Sequence, residues 1–308
     1  VRLLVFSAVV VLAAPCAAQQ ARGSLLVRDG GAWVQWWQAD RAPARWTGPS
    51  PTLMAAASWS PEADGVEHAE LTIRRSDEPW RIRIVMVRLD PARVALRLVV
   101  PPPRPSGFAG RWTVDDAPPD ALVAVNAGHF ESGPWGWLVQ GGHVRQAPGT
   151  GRLAPGVAIH ESGRVEIVPV DSLPLVKGVV EGFQTYPALL EASGEVPPEL
   201  RAEGSGVDLG HRDGRVAFGL TRDGHVILAI TRMEGLGGLL EVVPFGPTAP
   251  EMSALMGALG CVRAVLLDGG LSGQMRVTGG DGEESWRGLR PVAAGLIAVP
   301  RPRQPEAP

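Results

Sequence analysis

The sequence is short of cysteine, tyrosine and net charge, and each shortage excludes something. Its 308 residues hold two cysteines, Cys16 and Cys261. Residues 1–18 read as an export leader: Arg2 supplies the positive end, Leu3–Ala14 an apolar run, and Cys16-Ala17-Ala18 a small-residue cleavage site. The run is too short for a membrane-spanning helix, and Pro15 fits a lipoprotein cleavage box at Cys16 poorly. Cleavage after Ala18 leaves Cys261 alone, which excludes an internal disulfide and puts stability on packing. The formal net charge of −3 gives no pull toward nucleic acid or anionic membrane. The six histidines lack metal-ligand spacing such as H-x-x-x-H. No G-x-S-x-G is present, so a nucleophile-elbow serine hydrolase is excluded. The chain is expected to be secreted or periplasmic, with no stable membrane span.

Glycine (39) and proline (29) are plentiful, which points to many turns and short elements. The expected fold is α+β: a mixed, largely antiparallel β-sheet core with a few flanking helices. Strand-like runs stand at Ala69–Arg74, Trp80–Leu89, Arg93–Val100 and Ala121–Val125. Glu161-Ser162-Gly163 and Arg222-Asp223-Gly224 each join two apolar runs as hairpins. Thr248 and Glu251 form a capping box with Pro250 in the first turn, so a helix runs to about Leu259 and stops at Gly260. Its apolar stripe is Met252, Leu255, Met256 and Leu259. Five of the ten tryptophans fall between Gly23 and Trp59; core and edge packing is their commoner role, and stacking on sugar rings the other. Glu195–Asp213 is polar and reads as a mobile loop. Residues 19–79 form a Trp-rich strand segment of the same domain as 80–300, and 301–308 a disordered tail.

The segment Gly260–Met275, GCVRAVLLDGGLSGQM, concentrates the most information. Val262–Leu267 is a mostly buried strand that stops at Asp268, followed at once by Gly269 and Gly270. A carboxylate at the tip of a buried strand is rigidly held, and the glycines allow close backbone approach. The same residues also suit a plain strand-to-turn junction.

Three further segments precede it in order: VAVNAGHF (Val123–Phe130), GFQTYPALL (Gly182–Leu190) and GRVAFGLTRDGHVILAITR (Gly214–Arg232). Together with AVLLDGG they resemble the phosphodiester glycosidase family, over roughly Trp80 to Pro300. The resemblance implies an exported hydrolase that cleaves a glycosidic bond to phosphate, a glycosyl-1-phosphodiester, in an envelope polymer or glycoconjugate. The implied partner is a glycan or sugar phosphate, with no cofactor; a divalent metal at Asp268 stays open. Such a reaction develops positive charge on the sugar while phosphate leaves readily, so it needs a carboxylate near the anomeric carbon and donors for the phosphate.

Matching the family pattern, Asp268 is the catalytic carboxylate, Arg215 the phosphate-binding guanidinium, and Asn126 a hydrogen-bonding group for sugar or phosphate. Gly128, Gln184, Gly269, Gly270 and Ser272 are substrate-binding positions by the same match. Each has a structural alternative: Asn126 as a turn former, Arg215 as a solvated strand-edge arginine, Gln184 as a packing residue. His129 stands at an aromatic position of the family pattern; it serves as an aromatic replacement or as a general acid. Four residues depart from the pattern: Ala127, Val216, Leu271 and Gly273. They leave a rival reading, a non-catalytic glycan-binding protein on the same fold with tryptophan platforms.

Overall fold

The computed structural model describes residues 23–102, 111–131, 133–280 and 282–302. The expected leader, with Cys16, and residues 303–308 of the tail lie outside the described residues. In chain order the strands are β1 (Ser24–Asp29), β2 (Ala32–Gln38), β3 (Ser60–Ala63), β4 (Val66–Arg75), β5 (Arg81–Leu89), β6 (Val94–Val99), β7 (Val123–Asn126), β8 (Leu138–Gln140), β9 (His143–Gln146), β10 (Gly156–His160), β11 (Val165–Val168), β12 (Val179–Gln184), β13 (Ala188–Leu190), β14 (Val216–Thr221), β15 (Val226–Glu234), β16 (Cys261–Leu266), β17 (Met275–Gly279), β18 (Gly282–Trp286) and β19 (Gly295–Pro300). Among the described residues two α-helices, α1 (Pro51–Ala56) and α2 (Ala249–Ala258), accompany them.

Among the described residues every strand pairing is antiparallel, which gives the α+β, sheet-dominated fold. A nine-stranded sheet runs β13-β16-β14-β15-β5-β4-β1-β2, with β3 on β4. Two five-stranded sheets run β11-β10-β12-β8-β9 and β18-β17-β7-β19-β6. Central strands β5, β14 and β15 are buried on both faces over most of their length, so they read as apolar runs rather than alternating. In β5, Val85 and Val87 pack into a core shared with the two smaller sheets, beside Phe218, Val125, Val157 and Leu296. Met86 between them faces the opposite core, which it shares with Leu255 and Met256 of α2.

Helix α2 keeps its capping box: Glu251 N–H donates to Thr248 Oγ1 at 3.3 Å, and Thr248 N–H to Glu251 Oε2 at 3.0 Å. Gly260, at φ +90°, ends the helix as expected. Its burial is wider than a stripe, since Glu251 and Ser253 are also buried. Glu251 meets Arg75 and Arg212, while Ser253 Oγ donates to the Leu189 carbonyl at 2.7 Å.

The tryptophan-rich segment mostly packs. Trp37 is buried, Trp36, Trp46 and Trp59 lie against the helix-side core, and the Trp46 ring covers Gly257, where a Cβ would fall 2.2 Å from it. The polar segment Glu195–Asp213 is anchored by buried Val196 and Leu200. The tail is still tied at Arg301, whose N–H donates to the Arg93 carbonyl at 2.8 Å.

Candidate active site

The centre of β16 is buried on both faces, and the chain leaves it through Leu267, whose N–H donates to the Val216 carbonyl at 2.8 Å. Pairing with β14 then slips by one residue. Gly270 N–H, not that of Gly269, reaches the Gly214 carbonyl, at 2.7 Å. Asp268 therefore sits on a bulge, a device that re-aims a side chain at a strand end. Gly269 has to be glycine: a Cβ there would lie 2.4 Å from the Gly214 oxygen. Gly270 takes φ +57° and brings its backbone against the Asp213 carboxylate, 2.9 Å from where a Cβ would stand. The turn closes as a short 3-10 helix over Gly270–Ser272.

Burial pushes the Asp268 carboxyl above the usual aspartate range. The Ser272 hydroxyl, hydrogen-bonded to the carboxylate, opposes that rise, as do the Arg290 charge and, when protonated, His129; the nearby Asp213 carboxylate adds to it. His129 is pushed the other way, below its ordinary value, by burial and against the pull of Asp268. The Thr185 hydroxyl donates to the Leu266 carbonyl at 2.5 Å, so toward His129 Nδ1, at 3.3 Å, it can only accept. That network places the proton of neutral His129 on Nδ1 and leaves Nε2 with its lone pair. Phe130 beside it lies under the Arg290 guanidinium, 5.0 Å from the ring centre. Half-buried Trp135 is held by its N–H to the His129 carbonyl at 2.9 Å. A small pocket under His129 is lined by Gly128, Pro134, Trp135, Phe183 and Ala294. At the same end of the large sheet, where Arg81 pairs with Glu234, a hollow of about 660 Å³ opens between Trp80, Arg83 and the Gly235–Glu241 loop.

The chain segments carrying Asn126, Gly128, Arg215 and Asp268 meet here, but the side chains divide. Asn126 is fully buried behind Asp268: Nδ2 donates to the Asp268 carbonyl at 2.5 Å, and Oδ1 accepts from Gln274 N–H at 2.9 Å. Both ends of its amide hold backbone, so it positions the Asp268 turn rather than touching a ligand. Gln184 is also fully engaged. Oε1 accepts from Trp137 and Gly149 N–H at 2.9 and 2.7 Å, and Nε2 donates to the Ala154 and Gly149 carbonyls at 2.7 and 3.3 Å. A side-chain amide has no capacity beyond these four bonds, which corrects the expectation that Gln184 binds sugar. Gly128 allows close packing, since a Cβ would fall 2.2 Å from the Gln184 carbonyl oxygen. Arg215 Nε and Nη2 donate to the Pro247 and His211 carbonyls at 3.0 and 2.7 Å. That edge of the guanidinium braces the loop before α2, and the Nη1–Nη2 edge keeps its remaining donors.

Asp213 and Arg290 went unrecognised in the sequence. Asp213 sits two residues before Arg215 in a polar run, and Arg290 belongs to no motif; only the fold brings them to Asp268. Buried Arg232 supports the turn from behind, donating to the Gly273 and Trp286 carbonyls at 2.8 and 3.1 Å. Burial lowers its pKa to about 10, which leaves it charged at neutral pH. Of the four departures from the family pattern, two lie in the core and two in the turn that follows Asp268. Ala127 and Val216 pack in the inter-sheet core, and Leu271 is half-exposed. Among the described residues, no group of three His, Cys, Asp or Glu donors closes around Asp268 as a metal site would.

The sequence profile of the phosphodiester glycosidase family matches residues 119–299, well over half of the chain and every segment that builds this site. The chain belongs to the phosphodiester glycosidase family. Strands β1–β6 precede the matched span, although β1–β5 extend the same large sheet. No curated protein matches the sequence. Among solved structures, the fold is similar to the catalytic domain of zebrafish N-acetylglucosamine-1-phosphodiester alpha-N-acetylglucosaminidase, auto-inhibited by its pro-peptide. Identity is 18%, coverage 80% of this chain and 87% of that one, and the TM-score 0.57. It is also similar to a protein from Burkholderia pseudomallei described as exported, at 15% identity, 84% and 100% coverage and TM-score 0.59. A hypothetical protein from Synechocystis aligns at 14% identity, 80% and 76% coverage and TM-score 0.53. At these identities the likeness to the three structures is one of fold.

Proposed function

We propose that this phosphodiester glycosidase hydrolyses a glycosyl-1-phosphodiester, cleaving the bond between an anomeric carbon and phosphate in an exported glycoconjugate or envelope polymer. The observation that carries the reading is the bulged Asp268 carboxylate, desolvated and bracketed by Ser272, His129 and Arg290. Its ionised form stabilises the positive charge that develops on the sugar. Water attacks the anomeric carbon and gives its proton to His129 Nε2, the carbon–oxygen bond to phosphate breaks, and phosphate leaves with the electron pair. Arg290, whose guanidinium acts on Asp268, is the cation we assign to receive that charge. Half-buried Trp135 offers an aromatic surface for the sugar. Asn126, Arg232 and Arg215 hold the surrounding turns and position the acting groups.

Export is supported by the leader-like residues 1–18 and by the exported description of the Burkholderia relative. No helix among the described residues is long and apolar enough to cross a membrane. The zebrafish enzyme's name places N-acetylglucosamine 1-phosphodiesters first among the compounds to try. The test is a substrate panel: glycosyl-1-phosphodiesters, the matching phosphomonoesters and aryl glycosides of the same sugars. Preference for the diesters supports the reading; turnover of aryl glycosides alone overturns it.

A further inference from the structure

A second cluster of chemistry lies away from Asp268, where the large sheet faces the β17–β18 hairpin. Alternation along β4 puts His68 and Glu70 on the same face as Val66, which is buried in the inter-sheet core. Alternation along β18 likewise puts Glu284 with Trp286, which belongs to that core. Apolar side chains are expected beside Val66 and Trp286, and three potential metal ligands stand there instead, His68 and Glu70 half-buried and Glu284 exposed. One donor atom each from His68, Glu70 and Glu284 lie within 4.8 Å of one another.

The histidine supplies an independent observation. His68 Nδ1 stands 3.7 Å from Glu62 Oε1, while Nε2 is buried and has no hydrogen-bond partner. A neutral imidazole with its proton on Nδ1 turns a bare lone pair into that buried position. Glu62 is held in place: a Cβ on Gly279 would fall 2.0 Å from its Oε2, and its backbone carbonyl accepts from Gly280 N–H at 3.2 Å. A metal-binding histidine whose other nitrogen faces a fixed carboxylate is the arrangement that sets the tautomer and strengthens the ligand. Arg83 is the competing cation, 3.6 Å from Glu70, but it also pairs with Glu241.

We propose that His68 Nε2, Glu70 and Glu284 bind one divalent ion of the zinc class, with water in the remaining position and Glu62 orienting the histidine. One imidazole and two carboxylates form a borderline donor set, which suits zinc better than magnesium or calcium. The ion ties β4 of the large sheet to β18 of a smaller one. It is a structural staple: none of its ligands is among the groups that set the charge state of Asp268.

The experiment uses tag-free protein stripped with chelator, titrated with Zn²⁺ by calorimetry and followed by thermal unfolding, with Co²⁺ as a spectroscopic probe. One Zn²⁺ binds per chain, and at a hundredfold excess over Kd the unfolding midpoint rises by roughly 5–10 °C. Glu284 is exposed, so Glu284→Gln folds normally and loses the metal-dependent rise. Glu62→Gln weakens binding by about 10- to 100-fold. His68→Gln abolishes the tetrahedral Co²⁺ spectrum, and exposed His143→Gln changes nothing. Absence of saturable Zn²⁺ binding in the parent protein overturns the proposal. So does undiminished binding in both Glu284→Gln and His68→Gln.

Discussion

Replacing Gln184 with leucine separates a scaffold role from a ligand role. The substitution roughly keeps the volume and removes all four hydrogen bonds of the amide. Two of the abandoned groups lie on buried residues, Trp137 N–H and the Ala154 carbonyl; the two on Gly149 are partly exposed and can find water. A buried group left unpaired costs about 1–3 kcal/mol, so the two together cost roughly 2–6 kcal/mol. That is a large share of a typical folding free energy of about 5–15 kcal/mol. At roughly 2–4 °C per kcal/mol for a larger domain, the midpoint falls on the order of 5–20 °C. Thermal and urea unfolding read the loss, and kinetics below the lowered midpoint read the site. The protein that remains folded keeps its KM within about twofold, since one kcal/mol already corresponds to about fivefold. A Gln184→Leu protein as stable as the parent, with KM raised tenfold or more, refutes this reasoning and returns Gln184 to the substrate.

Arg290→Ala raises KM for a glycosyl phosphodiester by about tenfold, the lower end for a charged hydrogen bond at an exposed position. An aryl glycoside, lacking phosphate, is affected less; equal losses on both would take Arg290 off the phosphate. Arg215→Ala instead lowers stability, because the Pro247 and His211 carbonyls lose their donor. A stable Arg215→Ala enzyme with a phosphate-specific defect would reverse the two assignments. Asp268→Asn should stabilise the fold at pH 7. The native carboxyl titrates above the unfolded value of about 3.9, so the unfolded chain releases its proton first and native stability falls as pH rises through that window. Asparagine removes this penalty: its midpoint exceeds that of the parent at pH 7, and the gap closes as pH falls toward 4. A variant less stable than the parent at both pH values contradicts the burial of Asp268.

Local chemistry made much of the fold readable in the sequence. The Thr248–Glu251 capping box and Gly260 bounded α2, and the turns at Glu161–Gly163 and Arg222–Gly224 join β10–β11 and β14–β15. Strands β8, β9, β17 and β18 were harder, because each is short and the edge strands β9 and β18 are largely exposed, so no apolar run marks them. Asp268 was legible because a buried strand ending in Asp-Gly-Gly leaves a carboxylate few places to go. Gln184 and Asn126 were not, because a polar residue that satisfies buried backbone looks the same in sequence as one awaiting a ligand. Asp213, Arg290 and the His68 cluster draw their meaning from proximity that sequence spacing does not encode. Departures at Ala127 and Val216 looked like threats to activity; the fold sets both in the inter-sheet core, where small and β-branched apolar residues pack.

The account rests on the carboxylate of Asp268, and turnover of one glycosyl-1-phosphodiester by the parent and by Asp268→Asn tests it most directly. Release of the reducing sugar is followed at equal concentrations of folded protein, with binding of the intact diester measured on the same samples. The account predicts that Asp268→Asn loses at least about 10³-fold in kcat, a barrier increase of roughly 4 kcal/mol, and still binds the diester. Parent-like turnover by Asp268→Asn, or no turnover of any glycosyl phosphodiester by the parent, contradicts it.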